Sequence, residues 1–295
     1  MVRIKLERTI FPQGEETMTI EIMKIFKESF RDAREHKLEW ARVACAPVVI
    51  WLIGIIFMSL VYWSVGLWSF DALVSQMKGE SSSFEQPFIA TFAHVVYYIT
   101  YFIAIFNLYI NGFRYGVLGE GGDRWWALHL DWRFVKMILY SILIGILATI
   151  YILITGGIAL GAHFLVGSTA LTVVLGILFV IYGIYLALRL SLTYLLIAID
   201  QEKPIRVSWR LLKGNVLRVL GLLILIGIVI SLIGLAGIIV LGILGWILSL
   251  ISVWLIAIPI VLFALFSIIL WFVSWIVGTK ALSLVYKTFT SGTAF

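Results

Sequence analysis

From Val219 to Thr279 the chain carries no Asp, Glu, Lys or Arg, and from Met137 to Ile199 the only such residue is Arg189. About 20 residues of apolar helix cross the hydrocarbon of a bilayer while satisfying their own backbone hydrogen bonds, so runs of this kind read as membrane spans. Each of these two runs is long enough for two spans and must contain a turn. The Gly156-Gly157 pair and the segment from Gly161 to Ser168 supply the first turn, and Gly242 with Gly245 the second. Two shorter apolar runs precede them. The expected fold is all-α: a polytopic membrane helical bundle of about six transmembrane helices with cytoplasmic interfacial helices. The spans fall at about 43–66, 89–112, 134–156, 170–199, 219–242 and 250–280, after a cytoplasmic tail and amphipathic helix over residues 1–42. With 62% hydrophobic and 13% charged residues, the chain lies outside the range of soluble domains, near half apolar and a quarter charged.

Basic residues orient such a bundle, because cytoplasmic loops collect Lys and Arg. Nine lie before the first span, four in the second connection (Arg114, Arg124, Arg133, Lys136), six in the fourth (Arg189, Lys203, Arg206, Arg210, Lys213, Arg218) and two at the C-terminal end (Lys280, Lys287). The first, third and fifth connections hold only Lys78. Six spans with both termini in the cytoplasm, in a bacterial inner membrane, satisfy this distribution. It also accounts for the net charge of +6 without a nucleic-acid partner. Residues 1–42 contain no cleavable signal, so the first span is expected to direct its own insertion. Met18 is an alternative start.

Two basic segments share a pattern of Trp-Arg, two apolar residues and Lys: Trp132-Arg133-Phe134-Val135-Lys136 and Trp209-Arg210-Leu211-Leu212-Lys213. Trp40-Ala41-Arg42 is a looser third copy. Each tight copy follows an arginine and an acidic residue, Arg114 with Glu120 and Arg189 with Asp200. The pattern suggests an interfacial helix followed by a transmembrane hairpin, used three times. Ile205, Trp209, Leu212 and Val216 form one face of a helix predicted over Lys203–Leu217, with Arg206, Arg210 and Lys213 beside it. Ile22, Phe26, Phe30 and Ala33 stripe an N-terminal helix expected to lie on the membrane. Topology and anchoring explain these basic helices. Recognition of anionic lipid headgroups or of a partner protein, through Trp132, Arg133, Lys136, Arg206, Trp209, Arg210 and Lys213, is the functional alternative.

Reactive chemistry finds no home in the sequence. No acidic residue or lysine sits at a span centre, where a proton- or ion-driven transporter keeps one. Arg189 comes nearest. It is expected to be structural, paired with Asp200, Glu120 or helix-end carbonyls, with a substrate contact as the alternative. The histidines His36, His94, His129 and His163 are scattered, and His36 with Asp32 and Glu39 reads as a solvated charge network. No metal site, cofactor or nucleophile motif is expected. Gly119 to Asp123 is glycine-rich but reads as a turn. Gly157-x-x-x-Gly161 reads as loop, and His94, Asn107 and Asn111 as inter-helix hydrogen-bonding groups. Pro47 and Pro259 are expected to kink the first and last spans. The lone Cys45 reads as a small apolar residue.

The stretch Arg189-Leu190-Ser191-Leu192, the acidic break from Asp200 to Glu202, and Ser208-Trp209-Arg210-Leu211-Leu212-Lys213-Gly214 together resemble a family. It is the bacterial six-span proteins related to the membrane domain of glycerophosphoryl diester phosphodiesterases. The segments Leu118-Gly119-Glu120 and Asp131-Trp132-Arg133-Phe134 look like the matching first half, and the resemblance covers most of the chain from about Met18. It implies architecture rather than catalysis, because phosphodiesterase activity in fused relatives belongs to a separate soluble domain. The expected function is therefore a non-enzymatic scaffold or accessory subunit that contacts membrane lipids and possesses a membrane-protein partner or forms a homo-oligomer. A small-molecule or lipid transporter with its site between the helices is the alternative. Arg114, Glu120, Arg189 and Asp200 are the central candidate residues.

Overall fold

A computed structural model of the protein describes residues 21–65, 88–252, 255 and 257–291. It is 88% helical, with no strand among the described residues. The elements are α1 (Ile22–Glu35), α2 (Lys37–Ser64), α3 (Phe88–Leu118), α4 (Trp132–Val166), α5 (Thr169–Leu190), α6 (Thr193–Ala198), α7 (Pro204–Leu211), α8 (Val216–Ile251) and α9 (Ala257–Ser291). Six helices are long and apolar enough to cross a membrane, α5 and α6 together making one of them. The chain is a multi-pass membrane protein with an all-α fold. Lys78, Met18 and the basic residues Arg3, Lys5 and Arg8 lie outside the described residues.

The six spans pair into three hairpins, α2–α3, α4–α5 and α8–α9, and glycine allows close approach within each. A Cβ on Gly54 of α2 would stand 3.0 Å from Cβ of Thr100 on α3, and one on Gly237 of α8 would overlap the Phe266 ring of α9. In α4–α5 the Tyr151 hydroxyl donates to the Phe179 carbonyl at 2.5 Å, beside Gly183. Such contacts matter in lipid, where apolar area alone gives helices no reason to associate and close packing must supply it.

The first turn falls at the end of the expected segment from Gly161 to Ser168 rather than at Gly156-Gly157, and the second sits later than the sequence suggests. Gly156, Gly157 and Gly161 are inside α4, which runs to Val166. Gly167, at φ 66°, ends it and donates its N–H to the His163 carbonyl, while the Ser168 hydroxyl accepts from Leu171 N and starts α5. The stop is set by a left-handed glycine followed directly by an N-cap, a combination that glycine content alone does not specify. Gly242 and Gly245 likewise remain in α8, which ends at Ile251. Hydrocarbon offers no competing hydrogen-bond partner, so a glycine within a span does not break it. Pro259 falls in the first turn of α9, where a missing N–H disrupts little, and among the described residues only Pro47 lies in a helix interior.

The packed core lies at one end of the bundle, the end that carries the charges. Ile110 and Phe113 of α3, Met137 of α4, Leu188 of α5, Leu192 at the α5–α6 break and Leu195 and Leu196 of α6 meet there with Leu212, Val219, Leu222, Val277 and Leu284. Away from this end burial thins in α4, α5 and α8, although Ala90 and Ala93 at the start of α3 and Gly54 of α2 are still buried. Met137 is the one buried residue of α4, and Leu188 and Arg189 are the buried residues of α5. In α8 the last buried residue is Ile226.

The amphipathic segments also differ from expectation. The stripe of α1 packs on the protein core: Ile25 and Ser29 are buried, and Ile22, Phe26, Phe30 and Ala33 lie against the same cluster. An apolar stripe requires a cover but does not say whether lipid or protein provides it. The helix predicted over Lys203–Leu217 is broken. α7 stops at Leu211, Gly214 turns the chain at φ 82°, and Val216 opens α8. The buried residues of this segment are Pro204, Ser208, Leu212, Asn215 and Val216, so Leu212 and Val216 of the expected face are covered, Ile205 is half-buried and Trp209 is exposed. The repeated motif therefore occupies unlike places. Trp132 to Lys136 is the start of α4, after a segment 119–131 that contains no helix, whereas Trp209 to Lys213 straddles the end of α7.

Replacing Gly54 by Val drives a branched side chain into Thr100 and is expected to destabilise the protein by about 1–3 kcal/mol. Gly145→Ala, which meets open space, should leave stability within about 0.5 kcal/mol of the parent. Unfolding in mixed micelles measures both.

Candidate functional site

At the charged end, four of the residues singled out in the sequence come together. Arg114, near the end of α3, ion-pairs with Glu120 through Nη2 and donates from Nη1 to the Ala198 carbonyl at 3.1 Å. The same Nη1 is 3.9 Å from Asp200. Arg133, in the first turn of α4, donates from Nε to Asp200 at 2.6 Å and from Nη1 to Asp131 at 3.0 Å. Asp131 also caps α4 by accepting from Arg133 N. Asp200 follows α6 in the left-handed region at φ 60°, a conformation that Asp tolerates better than most residues. One carboxylate thus ties α3 and α4 to the end of the fourth span. Because Asp200 and Glu120 are about half exposed, the network orders the chain more than it stabilises it.

Arg189 lies elsewhere. It is 6% exposed and donates from Nη1 to the Trp209 carbonyl at 2.7 Å, with its guanidinium 4.4 Å from the centre of the Trp209 ring. The Ser208 hydroxyl in turn donates to the Arg189 carbonyl at 2.7 Å, one of the groups freed where α5 breaks before α6. Neither Asp200 nor Glu120 pairs with Arg189; the carbonyl near the end of α7, the Trp209 indole face and the Tyr185 ring at 5.5 Å are its partners. A guanidinium is suited to both roles at once. Arg206, Arg210 and Lys213 are exposed along α7 and the turn after it, Lys136 is half-buried, and Trp132 is exposed at the start of α4.

A second clasp was not singled out in the sequence. Asp32 of α1 accepts from Lys280 of α9 at 2.7 Å and from Trp40 Nε1 of α2 at 2.9 Å, and His36 lies 3.4 Å away. The Lys280 and Asp32 side chains are both largely buried. Trp40 is fully buried, edge-on to Tyr115 and Trp275, and the Tyr115 hydroxyl donates to Glu39. Lys280 is the residue that ends the charge-free run, a position that offers a signal for an inward cation. Its partner is far away in sequence.

Between the seam of α2 and α3 and the segment 119–131 lies a cavity of about 580 Å³, lined in part by Asn111, Arg114, Glu120, Asp123, Arg124 and His129. Asn111 donates to the carbonyls of Val43 at 3.0 Å and Ala127 at 2.8 Å, and Asn107 Oδ1 accepts from His129 N at 2.6 Å. The two amides therefore pin the 119–131 segment onto α3. Burial pushes the His129 imidazole below its usual pKa, Asp131 opposing and Arg114 and Arg133 reinforcing that shift, so the ring is neutral near pH 7. His94 lies toward the opposite end of α3 and bonds to the Tyr62 hydroxyl at 2.6 Å across α2–α3. Among the described residues no group of three His, Cys, Asp or Glu side chains is placed to hold a metal ion.

Asp32→Ala strands Lys280 and the Trp40 N–H, and is expected to cost about 2–3 kcal/mol. The double variant Asp32→Leu with Lys280→Met should recover part of that loss. Unfolding in mixed micelles tests this, and a single variant within about 0.5 kcal/mol of the parent would show the clasp to be idle.

Compared with known proteins, the chain matches no family model, no curated protein and no solved structure.

Proposed function

We propose that this is a non-enzymatic inner-membrane protein, with both termini in the cytoplasm, that serves as a scaffold or accessory subunit of a membrane complex. The supporting observation is the α4–α5 hairpin. Its helices pack on each other and, at the charged end, on the core, but Cβ atoms added at Gly145, Gly156, Gly157, Gly161 or Gly176 would meet nothing. Small residues in a span favour close approach of another helix, and the described residues place none against these glycines. The basic residues gathered at the charged end favour a cytoplasmic position for it, with exposed Arg206 and Lys213 offered to anionic lipid headgroups at about 1 kcal/mol each. The resemblance to the membrane domain of glycerophosphoryl diester phosphodiesterases fits the same reading, because it implies architecture rather than catalysis.

A second reading, binding or transport of a lipid or small apolar molecule, draws on a different feature. A cavity of about 360 Å³ lies between α2, α3 and α9, lined by Pro47, Trp51, Tyr101, Leu108, Ser267 and Trp271 among others. The Trp51 N–H is buried there without a partner. The cavity is apolar, as a lipid tail would require.

A photo-crosslinking residue at Ile146 or Ile177, on the exposed surface of the hairpin, separates these readings in native membranes. A scaffold yields a discrete protein adduct, either a partner or a second copy of the chain. Lipid adducts alone at both positions would contradict it. A cytoplasm-active reporter fused after Phe295 should be active, and an inactive fusion with intact insertion would overturn the orientation.

A further inference from the structure

Arg189 is a buried cation without an anion. The residue is 6% exposed, yet no carboxylate among the described residues pairs with it. Its guanidinium lies 4.4 Å from the centre of the Trp209 ring and 5.5 Å from that of Tyr185, and Nη1 donates to the Trp209 carbonyl at 2.7 Å. Ring faces and a carbonyl orient the charge but do not neutralise it.

The nitrogens differ in what is left to them. Nη1 is engaged and Nε is buried without a partner, whereas Nη2 has no bond within the protein and is not closed off from the surface. Both rings that hold the guanidinium emerge there, Tyr185 at 37% exposure and Trp209 at 39%. The charges around them share one sign. Arg206 lies about one turn before Trp209 on the same side of α7, and Lys213 lies in the turn that follows. Both are exposed, and neither pairs with a described carboxylate. Asp200 and Glu120 are taken by Arg133 and Arg114. An anion is therefore the missing partner, and the location indicates its kind. Tyr185 stacks beside Tyr182 near the end of a span whose outer surface is apolar, and Tyr and Trp gather at headgroup depth. A phosphate at that depth comes attached to acyl chains that the span already faces.

We infer that Arg189, with Arg206 and Lys213, binds the phosphate of an anionic phospholipid where α5 meets α7, Nη2 donating to a phosphate oxygen. Arg189 supplies a directed, charge-assisted hydrogen bond, and the two exposed cations supply field. Cations without an acid among them repel the quaternary ammonium of phosphatidylcholine, so a headgroup of net negative charge, such as phosphatidylglycerol, is favoured. The inference deepens the lipid contact proposed above and rests on the charged end lying at the headgroups. The reporter fused after Phe295 tests that placement, whereas retained lipid tests the site.

The experiment is native mass spectrometry of lipid retained by the full chain, purified in detergent with equal phosphatidylglycerol and phosphatidylcholine. Phosphatidylglycerol should be retained at least about tenfold over phosphatidylcholine. Arg206→Gln and Lys213→Gln, both exposed substitutions, should each reduce that preference several-fold, and Arg189→Leu should abolish it. Arg34→Gln, which removes an exposed cation from α1, should leave it unchanged. If Arg189→Leu fails to fold, the surface variants still decide the matter. Excess inorganic phosphate should leave the lipid in place, and displacement by it would overturn the lipid assignment in favour of a free phosphate. A co-purifying protein that Arg206→Gln releases, with neither lipid retained, would give Arg189 to a partner's carboxylate instead. Equal retention of the two lipids, an equal loss in Arg34→Gln, or no retained lipid would likewise overturn the site.

Discussion

Two carboxylates at one end of the bundle, Asp32 and Asp200, stand where chain segments distant in sequence must meet. Asp32 joins α1 to α2 and α9 through Trp40 and Lys280, and Asp200 joins the end of α6 to α3 and α4 through Arg114 and Arg133. Between them sits the apolar core of Ile110, Leu195, Leu196, Leu222 and Val277. Water reaches this end and not the hydrocarbon, so here the hydrophobic effect and ion pairing can both act. The break between α5 and α6 belongs to the same arrangement. It turns a six-residue helix into the core, and its freed carbonyl is met by Ser208 while Arg189 crosses to the Trp209 carbonyl.

Away from that end the constraint changes. Each hairpin is closed by glycine against a ring or a small side chain, Gly54 on Thr100, Gly183 beside Tyr151 and Gly237 on Phe266. The α4–α5 and α8–α9 hairpins present mostly bare apolar surface to their surroundings. That surface carries no penalty in lipid. It leaves the outer faces of α4, α5 and α8 to whatever the membrane supplies, and this connects the uneven core to the proposed role as a scaffold. The polar cavity belongs to the other half of the molecule, where the 119–131 segment is pinned by Asn107 and Asn111.

What the sequence made legible follows from range. The charge-free runs declared six spans because the energetics of hydrocarbon are read residue by residue. The turns were less legible: Gly156-Gly157 and Gly242 punctuate a soluble helix more strongly than a span, and the actual stop at Gly167-Ser168 depends on cap chemistry. His94, Asn107 and Asn111 were recognisable as hydrogen-bonding groups on a span, yet their partners Tyr62, His129 N and the Val43 and Ala127 carbonyls come from other elements. The Arg114–Glu120 pair was near at hand in sequence. Asp32 with Lys280 was not, and the stripe of α1 gave no sign that protein rather than lipid covers it. The repeated Trp-Arg motif was visible but misleading, because a short motif does not carry the helix boundary that gives it a place.

A core gathered at the charged end, with α4 and α8 unburied beyond Met137 and Ile226, makes a direct claim about distances. Spin labels on a Cys45→Ser background, placed at Trp132 and Leu217 near the charged end and at Ile158 and Ile239 toward the far end, are all at exposed positions. Electron–electron distance measurements on the purified protein in nanodiscs should give a narrow distribution for the first pair and a markedly broader one for the second. Equally narrow distributions at both ends would contradict the account.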